Sequence, residues 1–126
     1  MPSLIVTTGP NKGDYYPIAE GANVSIGRLA DCTVQLVDDS VSRKHCVLSF
    51  DRAAGRYAVE DQGSSNGTEV NGEKLDGATH IDDGAMIGCG DSGVLFTLRE
   101  FPDKESALTD QHLKRWFGED ERSTMY

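Results

Sequence analysis

Thr68-Glu69-Val70-Asn71-Gly72-Glu73-Lys74-Leu75 decides the fold class. Two short strand-type runs flank Asn71-Gly72. An Asn-Gly pair between such runs is the strongest short hairpin signal, because both residues tolerate positive φ. Outward from this hairpin, strand-type runs recur with polar turns between them. Upstream they fall at residues 4–8, 14–19, 23–26, 33–36, 46–50 and 56–60; downstream they fall at 86–88 and 94–99. Thr33-Val34-Gln35-Leu36 alternates at period two, and Ala53-Ala54-Gly55 turns the chain between 46–50 and 56–60. No helical stretch interrupts the series. About ten or eleven short strands joined by Gly-rich turns predict an all-β fold, an antiparallel β-sandwich.

The pattern changes after Arg99. Residues 103–117 contain no glycine, Leu113, Trp116 and Phe117 fall at i, i+3 and i+4, and Gly118 stands where a helix C-cap would. This predicts a C-terminal α-helix whose aromatic face, with Trp116 as a core plug, docks on the sandwich. A polar tail follows at 119–126. The expected organisation is therefore a sandwich at 1–100 and a helix with tail at 101–126.

Composition narrows the function. The 126 residues carry 12 lysines and arginines against 21 aspartates and glutamates, a net charge of −9. One domain of this length can bury a core without disulfides. The charge argues against a general nucleic-acid binder and against docking on anionic lipid. No apolar run approaches the roughly 20 residues of a membrane span, and Leu4-Ile5-Val6 is too short for a signal peptide. A cytoplasmic location is the expectation. Cys32, Cys46 and Cys89 are odd in number and widely spaced, which suits buried, reduced thiols rather than a disulfide framework or a zinc site. No cofactor and no metal is expected. Asp38-Asp39 and Asp82-Asp83 lack ligand spacing and read as solvated turn residues. His80 and His112 stand alone, with a surface or packing role.

Three motifs fall in turns: Gly27-Arg28 after the strand at 23–26, Ser42-Arg43-Lys44-His45 before the strand at 46–50, and Ser64-Ser65-Asn66-Gly67-Thr68 before the hairpin. Loops on a rigid sheet are where binding residues concentrate. Arg28 and Arg43 are permanent cations with planar donor forks suited to phosphate. Ser42 and Ser65 offer hydroxyl donors, and Asn66 carries both a donor and an acceptor for an extended peptide backbone. Gly27 and Gly67 permit tight backbone paths beside them. Lys44 reads as a solvated neighbour that adds local positive potential. Ser64 and Thr68 read as turn and hairpin residues. Such a donor set, without a strong base, metal ligands or a nucleotide loop, describes capture of an anion.

Gly27-Arg28, Ser42-x-x-His45 and Asn66-Gly67, in this order on this strand pattern, resemble a forkhead-associated (FHA) domain. The resemblance covers roughly residues 3–99. It implies a sandwich of about eleven strands that binds phosphothreonine peptides through loops at one end. Carried over, it implies that Arg28 and Ser42 contact the phosphate, that Ser65 helps hold it, and that Asn66 bonds the peptide backbone. Arg43 would contact the phosphate or the peptide. Gly27, His45 and Gly67 would support the binding loops. The expected partner is a phosphothreonine-containing protein, a Ser/Thr kinase or its substrate, read by a signalling adaptor.

Two rival readings remain. Ser42 and His45 invite a hydrolase reading, but no orienting carboxylate or nucleophile elbow accompanies them, so no enzyme activity is expected. A phosphate-independent interaction or oligomerisation module is the alternative. Charge placement favours phosphate. Residues 25–47 hold three cations, Arg28, Arg43 and Lys44, against three acids, Asp31, Asp38 and Asp39, so this segment is neutral within an acidic chain. The expected surface is a small cationic spot in an acidic surround.

Overall fold

A computed structural model describes residues 2–99, 101 and 103–108. Among these residues the chain forms eleven strands and one helix. The strands are β1 (Ser3–Thr8), β2 (Tyr15–Pro17), β3 (Val24–Gly27), β4 (Val34–Gln35), β5 (Cys46–Asp51), β6 (Arg56–Asp61), β7 (Thr68–Val70), β8 (Glu73–Lys74), β9 (Thr79–Ile81), β10 (Met86–Cys89) and β11 (Ser92–Thr97). They make a six-stranded sheet, β2-β1-β11-β10-β7-β8, and a five-stranded sheet, β4-β3-β5-β6-β9. The expected sandwich is present. Its pairing is antiparallel except for β3 and β4, which run parallel.

The deciding hairpin closes as its sequence demands. Val70 pairs with Glu73, leaving Asn71 (φ 54°) and Gly72 (φ 86°) as the two-residue turn. Positive φ at both central residues is the geometry whose twist matches the flanking strands. The Asn71 side chain also accepts the Met86 N–H at 2.9 Å, tying the turn to β10.

Strand alternation builds the core. Leu4 and Val6 of β1 face the other sheet and meet Val24, Ile26, Leu48, Val59, Ile87, Val94 and Phe96. Phe50 packs edge-on against Tyr57, with centroids 4.9 Å apart, and Tyr57 packs tilted against Phe96 at 5.3 Å. Ile5 points the opposite way, out of the sandwich. There it joins Leu95, Phe101 and Ala107 in a second cluster under α1 (Lys104–Leu108). β1 and β11 are thus covered on both faces, which explains why Leu4-Ile5-Val6 and Val94-Leu95-Phe96 read as continuous apolar runs rather than alternating ones.

Several expectations need correction. β9 was absent from the expected strands: Thr79-His80-Ile81 is short, and its membership is set by pairing with β6 rather than by local pattern. His80 is not alone, for its Nε2 bonds Asp51 Oδ2 at 2.8 Å. The second strand covers only Tyr15–Pro17 of the expected 14–19. Leu113, Trp116, Phe117, Gly118 and His112 lie outside the described residues. Cys32, Cys46 and Cys89 are buried free thiols, and Cys46 and Cys89 bring their sulfurs within 3.7 Å between the two sheets. Burial and the neighbouring thiol push the Cys89 thiol well up, with the Cys46 contact the larger cause. No described helix is long and apolar enough to cross a membrane.

Candidate functional site

The three motifs meet at one end of the sandwich. Gly27 ends β3, and its packing sets the first contact. A Cβ there would collide with the Arg43 carbonyl oxygen and stand 3.0 Å from Cys32 Sγ. Glycine is required by close approach, since no positive φ is involved. The approach lets Arg28 N–H donate to Ser42 O at 3.1 Å and Leu29 N–H donate to Arg43 O at 3.3 Å. The 36–45 loop is thereby sewn to the segment that carries Arg28.

His45 joins that loop to the next. It is fully buried, its Nδ1 accepts the Ser42 N–H at 3.0 Å, and its Nε2 lies 2.9 Å from Gly67 O. Because Nδ1 accepts, the ring is the tautomer that donates from Nε2 to the carbonyl. Both nitrogens are therefore committed to backbone. No lone pair is left to take a proton from the Ser42 hydroxyl, so the pair lacks the geometry of a nucleophile and its base. Gly67 takes φ 78°, a turn that aims its carbonyl at the ring.

The binding candidates then fall into place. Arg28 Nε donates to Val41 O at 2.9 Å, and this bond fixes the direction of the fork. No carboxylate pairs with Arg28, Arg43 or Lys44 among the described residues. Ser42 Oγ accepts the Ser65 N–H at 3.0 Å, so its own proton stays available to a ligand. Asn66 Nδ2 donates to Ser40 O at 2.8 Å, which leaves its carbonyl oxygen open. Arg28, Ser42, Arg43, Lys44, Ser65 and Asn66 all line one cleft of about 570 Å³, in which Asp39 is the one acidic lining residue. All five expected binding residues are brought together, with Gly27, His45 and Gly67 beneath them.

Asp61 shapes the second loop from below. Its carboxylate accepts the Ser64 hydroxyl, Thr68 Oγ1 at 2.7 Å, and the Gly63 and Ser64 N–H groups at 2.9 Å each. Partial burial pushes this carboxyl up, but the four donors outweigh it and hold it below its usual range. The sequence reading missed Asp61, and it missed Ser40, Val41 and Gln62 as cleft residues. Ser40, Val41 and Gln62 sit within three residues of a motif position, which was the available signal. Asp38 is not the solvated turn residue expected: it bonds both Ser40 and Ser92.

This arrangement defines a class: a β-sandwich that gathers cationic and hydroxyl donors on loops at one end. The FHA domain family model matches residues 24–90, and the chain belongs to the FHA family. It is 40% identical over 75 residues to the glycogen accumulation regulator GarA of Mycolicibacterium smegmatis, covering 60% of this chain and 46% of GarA. The FHA domain of a hypothetical protein from Arabidopsis thaliana, solved in solution, superposes with a TM-score of 0.73 at 28% identity, over 81% of this chain and 88% of that one. Mycobacterium tuberculosis EmbR, solved in complex with a low-affinity phosphopeptide, superposes with a TM-score of 0.67 at 30% identity, over 81% of this chain and 25% of EmbR. The chain spans less than half the length of the curated relatives it matches first, 28% and 46%.

Proposed function

We propose that this chain reads phosphothreonine on partner proteins, without catalysing a reaction, through the cleft between the 27–29, 39–44 and 62–66 segments. The carrying observation is the trio of cations, Arg28, Arg43 and Lys44, with no carboxylate partner among the described residues, gathered with the free Ser42 proton in one cleft. Phosphothreonine carries close to two negative charges and three strong acceptors. The Arg28 fork, with Nε spent on Val41 O, presents its two terminal nitrogens to phosphate oxygens. Ser42 and Ser65 add hydroxyl donors, and Arg43 adds charge. Asn66 offers its carbonyl oxygen to an N–H of the extended peptide. Binding to EmbR of a phosphopeptide supports the reading by likeness, and a Ser/Thr kinase or its substrate is the natural partner class. A cytoplasmic setting, where such kinases act, fits this role.

Each charge-assisted bond contributes about 1.5–3 kcal/mol, so losing the two from Arg28 weakens binding by about a hundredfold or more. The test is calorimetry with a pool of phosphothreonine peptides and its unphosphorylated counterpart. Arg28→Ala is expected to abolish measurable binding while its circular dichroism and melting curve stay those of the native chain. Equal binding of phosphorylated and unphosphorylated pools would instead favour a phosphate-independent interaction module.

A further inference from the structure

Asn66 is held from behind by residues that do not belong to any motif. Its Nδ2 donates to Ser40 O at 2.8 Å. Ser40 is in turn clamped on its hydroxyl, which donates to Asp38 Oδ1 at 2.7 Å and accepts the Asp91 N–H at 2.8 Å. The Ser40 N–H also donates to Asp38 Oδ1, at 2.9 Å. Asp38 Oδ2 accepts the hydroxyl of buried Ser92 at 2.7 Å. Gly90 lies against Ser40 so closely that a Cβ would overlap both its carbonyl and its hydroxyl oxygen. Three separate segments of the chain thus converge on one carbonyl: the 36–45 loop, the 62–67 loop and the turn between β10 and β11.

The consequence is orientational. An asparagine amide can present either its oxygen or its nitrogen, and the partner it finds decides which. With Ser40 O fixed, the nitrogen must face inward and the oxygen must face the open rim. Asn66 is exposed, so without that partner both rotations would be open to it. We propose that Ser92, Asp38 and Ser40 form a positioning relay that acts on the peptide backbone through the Asn66 amide whose orientation it sets. The relay deepens the phosphopeptide reading and rests on it for its binding consequence. The Ser92 hydroxyl, followed by the Ser40 hydroxyl and N–H, holds the Asp38 carboxyl below its usual range, so the relay is charged at neutral pH.

The phosphate contacts are anchored separately. Arg28 hangs on Val41 O, and Ser42 hangs on His45 and on the Ser65 N–H. A relay defect therefore separates peptide affinity from phosphate affinity, which a general loosening of the loops would not. The experiment uses Asp38→Ala and Ser92→Ala, the second being the milder change should the first fail to fold. Nitrogen-15 spectra follow the Asn66 side-chain amide signals, and titrations use a phosphothreonine peptide pool and inorganic phosphate. Both variants are expected to shift the Asn66 side-chain signals toward those of a solvated amide. Both should weaken the peptide pool about tenfold while keeping inorganic phosphate within about twofold. Unmoved Asn66 signals with native peptide affinity overturn the relay, and so does an equal loss for peptide and phosphate. Should the native chain bind neither ligand, the phosphopeptide reading falls, and the relay then stands or falls on the Asn66 signals alone.

Discussion

His45 offers the sharpest test of how this site is built. Replacing it with alanine removes the acceptor of the Ser42 N–H and the donor to Gly67 O, bonds of 3.0 and 2.9 Å. It also removes a fully buried ring that spans the 36–45 and 62–67 loops. An orphaned buried polar group costs about 1–3 kcal/mol. Both orphaned groups are only part-buried, and the space left by the ring can admit water, so the lower half of that range applies to each. The sum is about 2–4 kcal/mol, a large share of the roughly 5–15 kcal/mol that holds a domain together. For a domain of this size that lowers the melting temperature by about 10 °C. The assay is urea denaturation with a parallel thermal melt, alongside phosphopeptide calorimetry. Stability and affinity should fall together, because the two loops part company. A variant with native denaturation midpoint and lost binding would refute this account, since it would mean that His45 acts on the ligand and not on the loops.

Two other perturbations probe different joints. Gly27→Ala forces a methyl group into the Arg43 carbonyl, and overpacking of this kind costs about 1–3 kcal/mol. Because the loop that must retreat carries Ser42 and Arg43, calorimetry should also show about a tenfold loss for a phosphothreonine peptide; a native denaturation midpoint would contradict the close approach. Phe101→Ala strips the ring that packs on Tyr15 at 6.1 Å and covers Ile5 and Leu95. We expect about 3 kcal/mol of destabilisation by urea titration with native phosphopeptide affinity, which would place the 101–108 segment inside the folding unit although the family model stops at residue 90.

What the sequence disclosed, and what it hid, follows from the range of the forces involved. The hairpin at Asn71-Gly72 was legible because its determinant is local: two residues whose own backbone preferences match the turn. The motif residues were legible because phosphate, the ligand proposed for this cleft, selects a few side-chain types, and Arg28, Ser42, Arg43, Ser65 and Asn66 are of those types. β9 was hidden because three residues carry too little period to announce a strand, and only its pairing with β6 makes it one. The parallel pairing of β3 with β4 was hidden for a related reason, since register between strands leaves no mark on either strand alone.

Asp38 and Asp61 were hidden for a subtler reason. An aspartate in a polar turn has the same local signature whether it is solvated or bonded. What separates the two cases is who stands opposite. For Asp61 the donors are near in sequence, at 63, 64 and 68, so an Asp followed by Gly-Ser and a Thr could have been read as a loop staple. For Asp38 the decisive donor is Ser92, 54 positions away, which no local pattern reveals. The split has a functional meaning. Residues that meet the ligand are constrained by the ligand's chemistry and so look alike wherever they occur. Residues that aim them are constrained by the particular packing of this chain, by Gly90 lying against Ser40 and by β11 presenting Ser92. On the proposed reading, the motif specifies that a phosphate is held, while the spacing of the supporting carboxylates and hydroxyls sets how firmly the adjoining peptide is gripped.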